Sequence, residues 1–387
     1  MKCITHILNE CMIKTQRSYI PWIDVVRTMA ILGVILCHVV DTVMTAPQAA
    51  GSEEYTLWTE LYKTLSRPSV SLFVLITGYL LLPVKMDSVD FYKKRLTRIL
   101  YPFLFGSVAY TMLPWVIHLF TQSHDLIRMF FPYYGSQEPT LSHTLMEVAR
   151  IPLTFNGTSY PLWYVYMLIG LYFFMPVISP WLEKSNKKEK TIFLTIWGVS
   201  LFIPYIRAFV MNYAFGESEW NEFGLFYYFA GFIGYIVMGH WMKQSGRFPF
   251  QKKFWLTIPV FLLSYWITYE GYHFMMLDPN VTPEGMELFF LFCTPNVMLM
   301  TYALFVMASN VTIRSEAVNR VLSTLSRYGF GIYMVHYLLI GPIDYVLARM
   351  MVPVAVHIPL CTLLVFVASW MFVFVLGKLP KSKWLIG

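Results

Sequence analysis

Charged residues are scarce in this sequence: Asp, Glu, Lys and Arg make up 13% of its 387 residues, about half the share typical of a soluble domain. Hydrophobic residues make up 57%, and the mean hydropathy is +0.54. A soluble protein of this size has too little interior to bury so much apolar surface. The composition therefore excludes a soluble globular enzyme, a disordered chain and a disulfide scaffold, and it indicates an integral membrane protein.

Recognisable metal, nucleotide and signal motifs are also missing. The cysteines stand at positions 3, 11, 37, 293 and 361, so no two of them form a CxxC pair. The sequence contains no HExxH run for zinc, no GxxxxGK[ST] phosphate loop and no GxSxG elbow. Residues 1–18 lack the apolar core of a signal peptide. We therefore expect no metal cofactor.

The apolar stretches have the length of membrane helices rather than of the short alternating strands of an outer-membrane barrel. Because lipid-exposed backbone must be hydrogen-bonded internally, these stretches are predicted to be helices, which gives an all-α fold. Ten spans are predicted near residues 21–43, 67–83, 99–120, 161–182, 191–213, 223–242, 254–270, 286–308, 328–349 and 353–377. We expect a cytoplasmic tail at 1–20, one transmembrane domain at 21–377 and a second tail at 378–387.

The positions of the basic residues predict which side each loop faces. Most of the 29 Lys and Arg residues fall in the two tails and in alternate loops, and basic residues collect in the cytoplasmic loops of membrane proteins. Both termini are therefore predicted to be cytoplasmic. The same distribution accounts for the net charge of +7, so we expect no nucleic-acid partner.

The first predicted span holds four ionisable residues, which are costly in lipid and mark candidate functional sites. Arg27 and His38 are eleven residues apart, so a helix places them within about 20° of one face and about 16 Å apart along its axis. Asp24 is spaced to pair with Arg27. Asp41 is spaced to accept a hydrogen bond from the His38 ring and raise its basicity. The alternative is that these residues are structural.

A second group of cations lies in FYKKRLTRILYP (91–102), where a predicted cytoplasmic loop enters the third span. Arg95 and Arg98 are at i and i+3, so a helix places both on one side. Two guanidinium groups suit phosphate oxygens, which they hold in a bidentate manner, and Lys94 adds a third positive charge. Anchoring to lipid phosphates is the alternative.

Four further residues are candidates for binding an acceptor. Tyr160, Trp163 and Tyr164 lie where a long aromatic loop enters the fourth span, and His336 lies in the ninth. Aromatic side chains here are suited to stacking on sugar rings, but they are equally typical of an interfacial belt. For each of the four, a structural hydrogen bond is the alternative to direct chemistry.

Several segments together resemble the acyltransferase family 3 membrane proteins. IDVVRTMAILGVILCH (23–38) has the family's Arg, ten residues, then His, and KRLTR (94–98) corresponds to its Arg-x-x-Arg motif. SRPSVSLFVLITGYLL (66–81) resembles the family's second helix, with Thr77 in place of the usual Ser. PLWYVYMLIGLYFFMPVISPWL (161–182) and SRYGFGIYMVHYLL (326–339) resemble its fourth helix and a late helix that carries a His.

The resemblance implies a membrane-bound O-acyltransferase, most simply an O-acetyltransferase. Such an enzyme takes an acyl group from cytoplasmic acetyl-CoA to a sugar hydroxyl of a cell-surface polysaccharide or glycolipid. His38 is then the general base or a transient acyl carrier, and Asp41 supports it. Arg27 then binds another anionic part of the donor or lines its channel, while Arg95 and Arg98 hold the CoA phosphates.

The expected partners are acyl-CoA, a glycan or lipid-linked sugar, and membrane lipid, in a multi-pass protein of a bacterial inner membrane. Two other functions remain open on the sequence. One is a glycolipid or polysaccharide exporter or flippase without acyl-transfer activity, and the other is a sensory or anchoring membrane domain. Transporters often show duplicated halves, and the sequence has no convincing repeat, which favours the enzyme.

Overall fold

The computed structural model of the chain describes residues 20–135, 137–211, 213–245, 250–380, 382 and 384, and within these ranges it contains helices and no strand. The α-helices are α1 (Pro21–Met44), α2 (Glu53–Ser66), α3 (Pro68–Leu81), α4 (Ser88–Thr121), α5 (His124–Phe130), α6 (Leu141–Arg150), α7 (Trp163–Lys184), α8 (Lys187–Ser200), α9 (Ile203–Phe209), α10 (Ile233–Gln244), α11 (Thr257–Met276), α12 (Pro283–Met286), α13 (Pro295–Ser309), α14 (Glu316–Arg327), α15 (Gly329–Arg349) and α16 (Val354–Leu376). The all-α membrane fold is confirmed.

Among the described residues, eight helical segments are long and apolar enough to cross a membrane. They are Pro21–Met44, Glu53–Leu81, Ser88–Thr121, Tyr160–Lys184, Lys187–Phe209, Leu288–Ser309, Gly329–Arg349 and Val354–Leu376. The other two predicted spans correspond to α10, which has 12 residues, and α11, which has 20. The count of ten, the cytoplasmic termini and the tail boundaries stay predictions, and residues 1–19 of the first tail lie outside the described residues.

Helix α1 lies at the centre of the fold. It packs against α2, α3, α13, α14, α15 and α16. One reason is its composition: most of its residues are apolar, and Val26, Ala30, Ile35, Val39 and Val40 are almost wholly buried. Burying such side chains stabilises the packed helix and fixes its rotation. The charged residues on α1 are therefore directed into the interior of the bundle.

The second predicted span begins earlier than its hydropathy indicates. Helix α2 runs from Glu53 to Ser66, and after the single residue Arg67 the chain continues as α3 from Pro68. Proline is tolerated at this first helical position because its missing N–H has no intrahelical partner there. The hydropathy of α2 is low because Glu60 and Lys63 lie in it, yet both side chains are buried in the fold.

Helices α3 and α10 cross at a close backbone contact. A Cβ atom at Gly78 would collide with the backbone of Ile236, and one at Gly239 would collide with the carbonyl of Leu75. Small residues at such crossings let membrane helices approach closely. This contact places α3, which lines the candidate site, against the rest of the bundle.

Helix α4 is longer than the predicted span at 99–120. It begins at Ser88, where the Asp87 side chain accepts a hydrogen bond from the Val89 N–H, and it has 34 residues. Its length of about 51 Å exceeds the roughly 30 Å hydrocarbon core. Arg95 and Arg98 both lie in the first half of this helix, as the sequence predicted.

Candidate active site

One cavity, of about 480 Å³, collects guanidinium groups from three helices, and we call it the arginine cavity. Arg27 comes from α1, Arg95 and Arg98 from α4, and Arg327 from the end of α14. Asp24 is the carboxylate that lines the same cavity. The cavity is also lined by Val34, His38, Val70, Trp163, Tyr164, Ser323, Ser326 and Tyr333.

Arg27 is held in place from two sides. Its Nη1 atom lies 3.3 Å from Asp24 Oδ1, which is the pair predicted from their spacing, and it donates a 2.9 Å hydrogen bond to Ser326 Oγ. The second contact joins α1 to α14. The side chain is 36% exposed, so part of the guanidinium faces the cavity. An arginine fixed in this way presents a preorganised positive charge to a ligand.

The Arg-x-x-Arg segment contributes two of its three predicted residues to the cavity. Arg95 is half-buried, Arg98 is exposed, and both side chains line the arginine cavity. Lys94 is exposed and does not line it.

His38 lies where the arginine cavity meets a second cavity of about 550 Å³. Both cavities are lined by His38, Val34, Val70 and Trp163, so they adjoin at these four side chains. His38 is 8% exposed and is held on the α1 face that also carries Arg27. The predicted alignment of Arg27 and His38 along one face therefore places both in the arginine cavity.

The second cavity contains two cations and two carboxylates in mutual contact, and we call it the ion-pair cavity. Lys63 Nζ lies 2.7 Å from Glu287 Oε1 and 3.5 Å from Asp41 Oδ1. Arg67 Nη1 lies 3.5 Å from Glu287 Oε2, and its guanidinium lies 4.4 Å above the centre of the Phe290 ring. The side chains of Lys63 and Arg67 are each only 8% exposed, so these pairs are largely shielded from water.

Asp41 contacts the cluster more closely than it contacts His38. The distance from His38 Nδ1 to Asp41 Oδ2 is 3.8 Å, which is too long for a hydrogen bond. The other carboxylate oxygen of Asp41 lies near Lys63. The expected hydrogen bond between Asp41 and the His38 ring is therefore not formed here, because the carboxylate also contacts Lys63 of α2.

Glu287 directly follows α12 and precedes the spanning segment Leu288–Ser309, so it lies outside the membrane-spanning segments. Burial by itself raises the pKa of the Glu287 carboxyl, but the positive charges of Arg67 and Lys63 outweigh burial and hold the pKa below its ordinary value. Glu287 is therefore ionised at neutral pH. It ties the segment that follows α12 to α2.

His336 lies beside His38 but lines neither of the two cavities. The ring centres of the two histidines are 5.4 Å apart, and His336 is fully buried. His336 Nδ1 lies 2.7 Å from the Tyr333 carbonyl oxygen, which only accepts hydrogen bonds, so Nδ1 carries the proton. Its Nε2 atom is then a buried acceptor, and no hydrogen-bond partner is found for it among the described residues.

The three aromatic candidates are divided between the cavities. Trp163 lines both, Tyr164 lines the arginine cavity, and Tyr160 lines the ion-pair cavity. Tyr160 is 44% exposed, and its ring centre lies 6.3 Å from that of His38. Trp163 is stacked on Phe292 with ring centres 5.5 Å apart. Tyr160 and Trp163 therefore form an aromatic wall beside His38, on the side of the ion-pair cavity.

A family model described as an acyltransferase domain matches residues 20–374, which is nearly the whole chain. The chain belongs to acyltransferase family 3. No curated protein and no solved structure matches it. The family membership confirms the resemblance drawn from the motifs and makes the protein a multi-pass membrane acyltransferase.

Sequence reasoning missed four residues of this acyltransferase's candidate site. Lys63 precedes the predicted second span, and Arg67 is the first residue of that span. Glu287 stands at the start of the predicted eighth span, and Arg327 directly precedes the ninth. None of the four was a candidate. A signal for two of them was present, because Lys63 and Arg67 have the i, i+4 spacing of neighbours on one helix face, directly before an apolar run. Glu287 is 224 residues from Lys63, and no local pattern connects the two.

One group of side chains in this acyltransferase has potential metal-ligand atoms, although no metal was expected. Atoms of Asp344, His357 and Cys361 lie within 4.8 Å of one another, where α15 packs against α16. His357 Nε2 lies 2.7 Å from Asp344 Oδ1, which is a hydrogen bond between the two helices. None of the three residues lines the arginine cavity or the ion-pair cavity.

Proposed function

We propose that this membrane acyltransferase moves an acetyl group from cytoplasmic acetyl-CoA to a sugar hydroxyl of a cell-surface polysaccharide or glycolipid. The observation that carries this proposal is the position of His38 where the arginine cavity adjoins the ion-pair cavity. A donor that enters one cavity and an acceptor that enters the other meet at this imidazole. The cellular site we propose is a bacterial inner membrane.

The arginine cavity suits the donor. Acetyl-CoA carries several phosphate charges at one end of a long flexible arm and its thioester at the other. Arg95 and Arg98 are placed to hold phosphate oxygens at the predicted cytoplasmic end, with Arg27 about 16 Å along α1 from His38. The same cavity reaches His38, so the arm has a path from the arginines to the imidazole.

The reaction needs a base beside the acceptor hydroxyl. In the direct route, His38 takes the hydroxyl proton while the sugar oxygen bonds to the thioester carbonyl carbon. The carbon–sulfur bond breaks, and the proton passes to the departing thiolate of CoA. In the alternative route, a His38 nitrogen bonds to the thioester carbonyl carbon, the carbon–sulfur bond breaks, and CoA leaves as a thiol with the proton of the imidazole ring. The sugar oxygen then bonds to the same carbonyl carbon, the carbon–nitrogen bond breaks, and the hydroxyl proton returns to the imidazole. Tyr160 and Trp163 are placed to position the sugar ring.

The test is the His38→Ala variant, reconstituted in lipid and supplied with radiolabelled acetyl-CoA and an envelope glycan fraction. General acid–base groups contribute about 10²- to 10⁴-fold to a rate, so labelling of the glycan is expected to fall by at least about 10²-fold. His143→Ala, which removes an exposed histidine of α6, is the matched control and is expected to retain activity. Full activity of His38→Ala would contradict the role of His38.

The same label separates the proposed enzyme from an exporter and the two catalytic routes from each other. An exporter without transferase activity would leave the glycan unlabelled with the unmodified chain. If His38 carries the acetyl group, a rapid quench without acceptor yields labelled protein, and His38→Ala yields none. If His38 is only a base, neither protein is labelled.

A further inference from the structure

The ion-pair cavity holds balanced charges, unlike the arginine cavity. Two cations, Lys63 and Arg67, face two carboxylates, Asp41 and Glu287, and each of the four lies within 3.5 Å of an opposite charge. In the arginine cavity, four arginines face a single carboxylate, Asp24. The two cavities therefore differ in the charge that they offer to a ligand, although they adjoin at His38.

The pairing of the four charges also limits the access of an anionic ligand to Lys63 and Arg67. Lys63 contacts both carboxylates, so an anion that approaches its ammonium group meets two negative charges close by. Arg67 is covered on its flat face by the Phe290 ring and contacts Glu287 at its end. A sugar carboxylate or phosphate that approached either cation would displace Glu287 or lie against it, and like charges brought together in a shielded site repel strongly.

Neutral hydroxyl groups meet no such obstacle. A hydroxyl both donates and accepts, so it can bond to a carboxylate or a cation of the cluster without separating the pairs. The rings of Tyr160 and Trp163 add an apolar wall, so the cavity combines a few polar groups with aromatic surface as small-molecule sites do. This combination fits a polyhydroxylated ring better than a charged one.

We infer that the ion-pair cavity selects an acceptor whose reacting sugar is uncharged, and that Glu287 is the residue that sets this selection. The inference rests on the proposed function, since it takes the ion-pair cavity as the acceptor site. Glu287 is the partner that the two cations share, and its side chain is 39% exposed, so it meets an entering ligand before the buried cations do. A repulsive group of this kind gives specificity by excluding the wrong ligand.

The experiment compares two probes of equal size, an alkyl β-glucoside and the alkyl β-glucuronide of the same chain length. Their dissociation constants are measured with the full chain in nanodiscs and without acyl donor. We expect the unmodified chain to bind the glucoside at least tenfold more tightly. Glu287→Gln is expected to strengthen glucuronide binding about tenfold and to leave glucoside binding within about twofold, because the repelling charge is gone.

Two variants control for loss of structure and for a general change of surface charge. Glu287→Asp keeps the charge and is expected to keep the preference for the glucoside. Glu284→Gln removes an exposed carboxylate of α12, three residues away, and is expected to change neither dissociation constant. The unmodified chain alone tests the preference, so the test survives if Glu287→Gln does not fold.

Three outcomes would overturn the inference: tighter binding of the glucuronide by the unmodified chain, binding of neither probe, or an unchanged ratio in folded Glu287→Gln. These outcomes are independent of catalysis because no donor is present. If the probes bind as expected but no envelope glycan is ever acetylated, the proposed function fails while the selection by Glu287 stands. If glycans are acetylated but the probes show no preference, only the inference fails.

Discussion

The arginine cavity and the ion-pair cavity are both lined by residues of α1, yet they differ in the ratio of cationic to anionic side chains. Arg27, Arg95, Arg98 and Arg327 line the first and outnumber its one carboxylate, whereas Lys63 and Arg67 in the second are matched by Asp41 and Glu287. An excess of arginines over carboxylates attracts an anionic ligand, whereas matched pairs leave little net charge to attract one. On the proposed function, we expect a polyanion in the first cavity and a neutral ligand in the second.

One helix, α1, contributes residues to both of the proposed substrate sites. Arg27 and His38 are about 16 Å apart on α1, so a single helix fixes the distance between the proposed anion-binding end and the proposed reacting end. Since α1 packs on six neighbouring helices, it has little freedom to move. The difference in charge between the two cavities therefore depends on residues of the packed core. Substitutions in either cavity can test it.

The largest expected effect comes from removing the excess charge of the arginine cavity. The double variant Arg95→Ala with Arg98→Ala loses two groups placed to hold phosphates, each contributing about 1.5–3 kcal/mol as a charge-assisted hydrogen bond. We expect the affinity for acetyl-CoA to fall by at least about 10²-fold, since each 1.4 kcal/mol is a factor of ten. Isothermal titration of the protein in detergent with acetyl-CoA measures this affinity.

The matched control for this double variant is Lys93→Ala with Lys94→Ala. Both lysines are exposed on the same first turns of α4, and neither lines the arginine cavity. The control removes the same number of positive charges from the same surface and is expected to change the affinity for CoA by less than about threefold. Equal losses in the two double variants would show that CoA responds to the surface charge of α4 rather than to the cavity.

A smaller effect is expected at the opposite wall of the same cavity. Arg327 ends α14 and lines the arginine cavity with Ser323 and Ser326, the partner of Arg27. Arg327→Ala removes one exposed guanidinium group from the proposed phosphate site. The variant is expected to raise KM for acetyl-CoA about tenfold with little change in kcat. Initial rates at varied acetyl-CoA measure both constants.

Arg320 provides the control for Arg327, because it lies on the same helix, is exposed and lines neither cavity. Arg320→Ala is expected to leave both constants unchanged. A lower kcat at unchanged KM in Arg327→Ala would mean that α14 acts on the reacting end instead of on donor binding. A change in KM alone would assign Arg327 to donor binding, and a change in kcat alone would assign it to the reacting end of the site.

The arginine cavity was largely predictable from the sequence, and the ion-pair cavity was not. The eleven-residue spacing of Arg27 and His38 and the i, i+3 spacing of Arg95 and Arg98 are local helix geometry, and the structure bears out both placements. The ion-pair cavity depends on a helix, α2, whose polar residues lower its hydropathy below that of a span. It also depends on Glu287, which only tertiary folding brings to Lys63. Hydropathy places Lys63, Arg67 and Glu287 just before a span or at its first residues, because it does not register that opposite charges are buried together.

The smallest expected effect concerns the pH dependence of the ion-pair cavity. Burial raises the pKa of Glu287, but Arg67 and Lys63 hold it below its ordinary value. A carboxyl with a depressed pKa adds stability above its unfolded pKa, and this stability is lost as the pH falls through the lower folded value. The Tm of the unmodified chain should therefore exceed that of Glu287→Gln at pH 7, and the gap should close as the pH falls below about 4.5.

Thermal unfolding in detergent between pH 7 and pH 3 measures this gap, with Glu284→Gln as the variant whose Tm should follow the unmodified chain at every pH. The effect is small because the Glu287 side chain is 39% exposed and water screens part of its attraction to the two cations. A gap that stays constant across the range would mean that Glu287 stabilises the fold by packing rather than by charge. The balance of charge in the ion-pair cavity would then rest on Asp41 alone, and the difference between the two cavities would be smaller than their lining residues indicate.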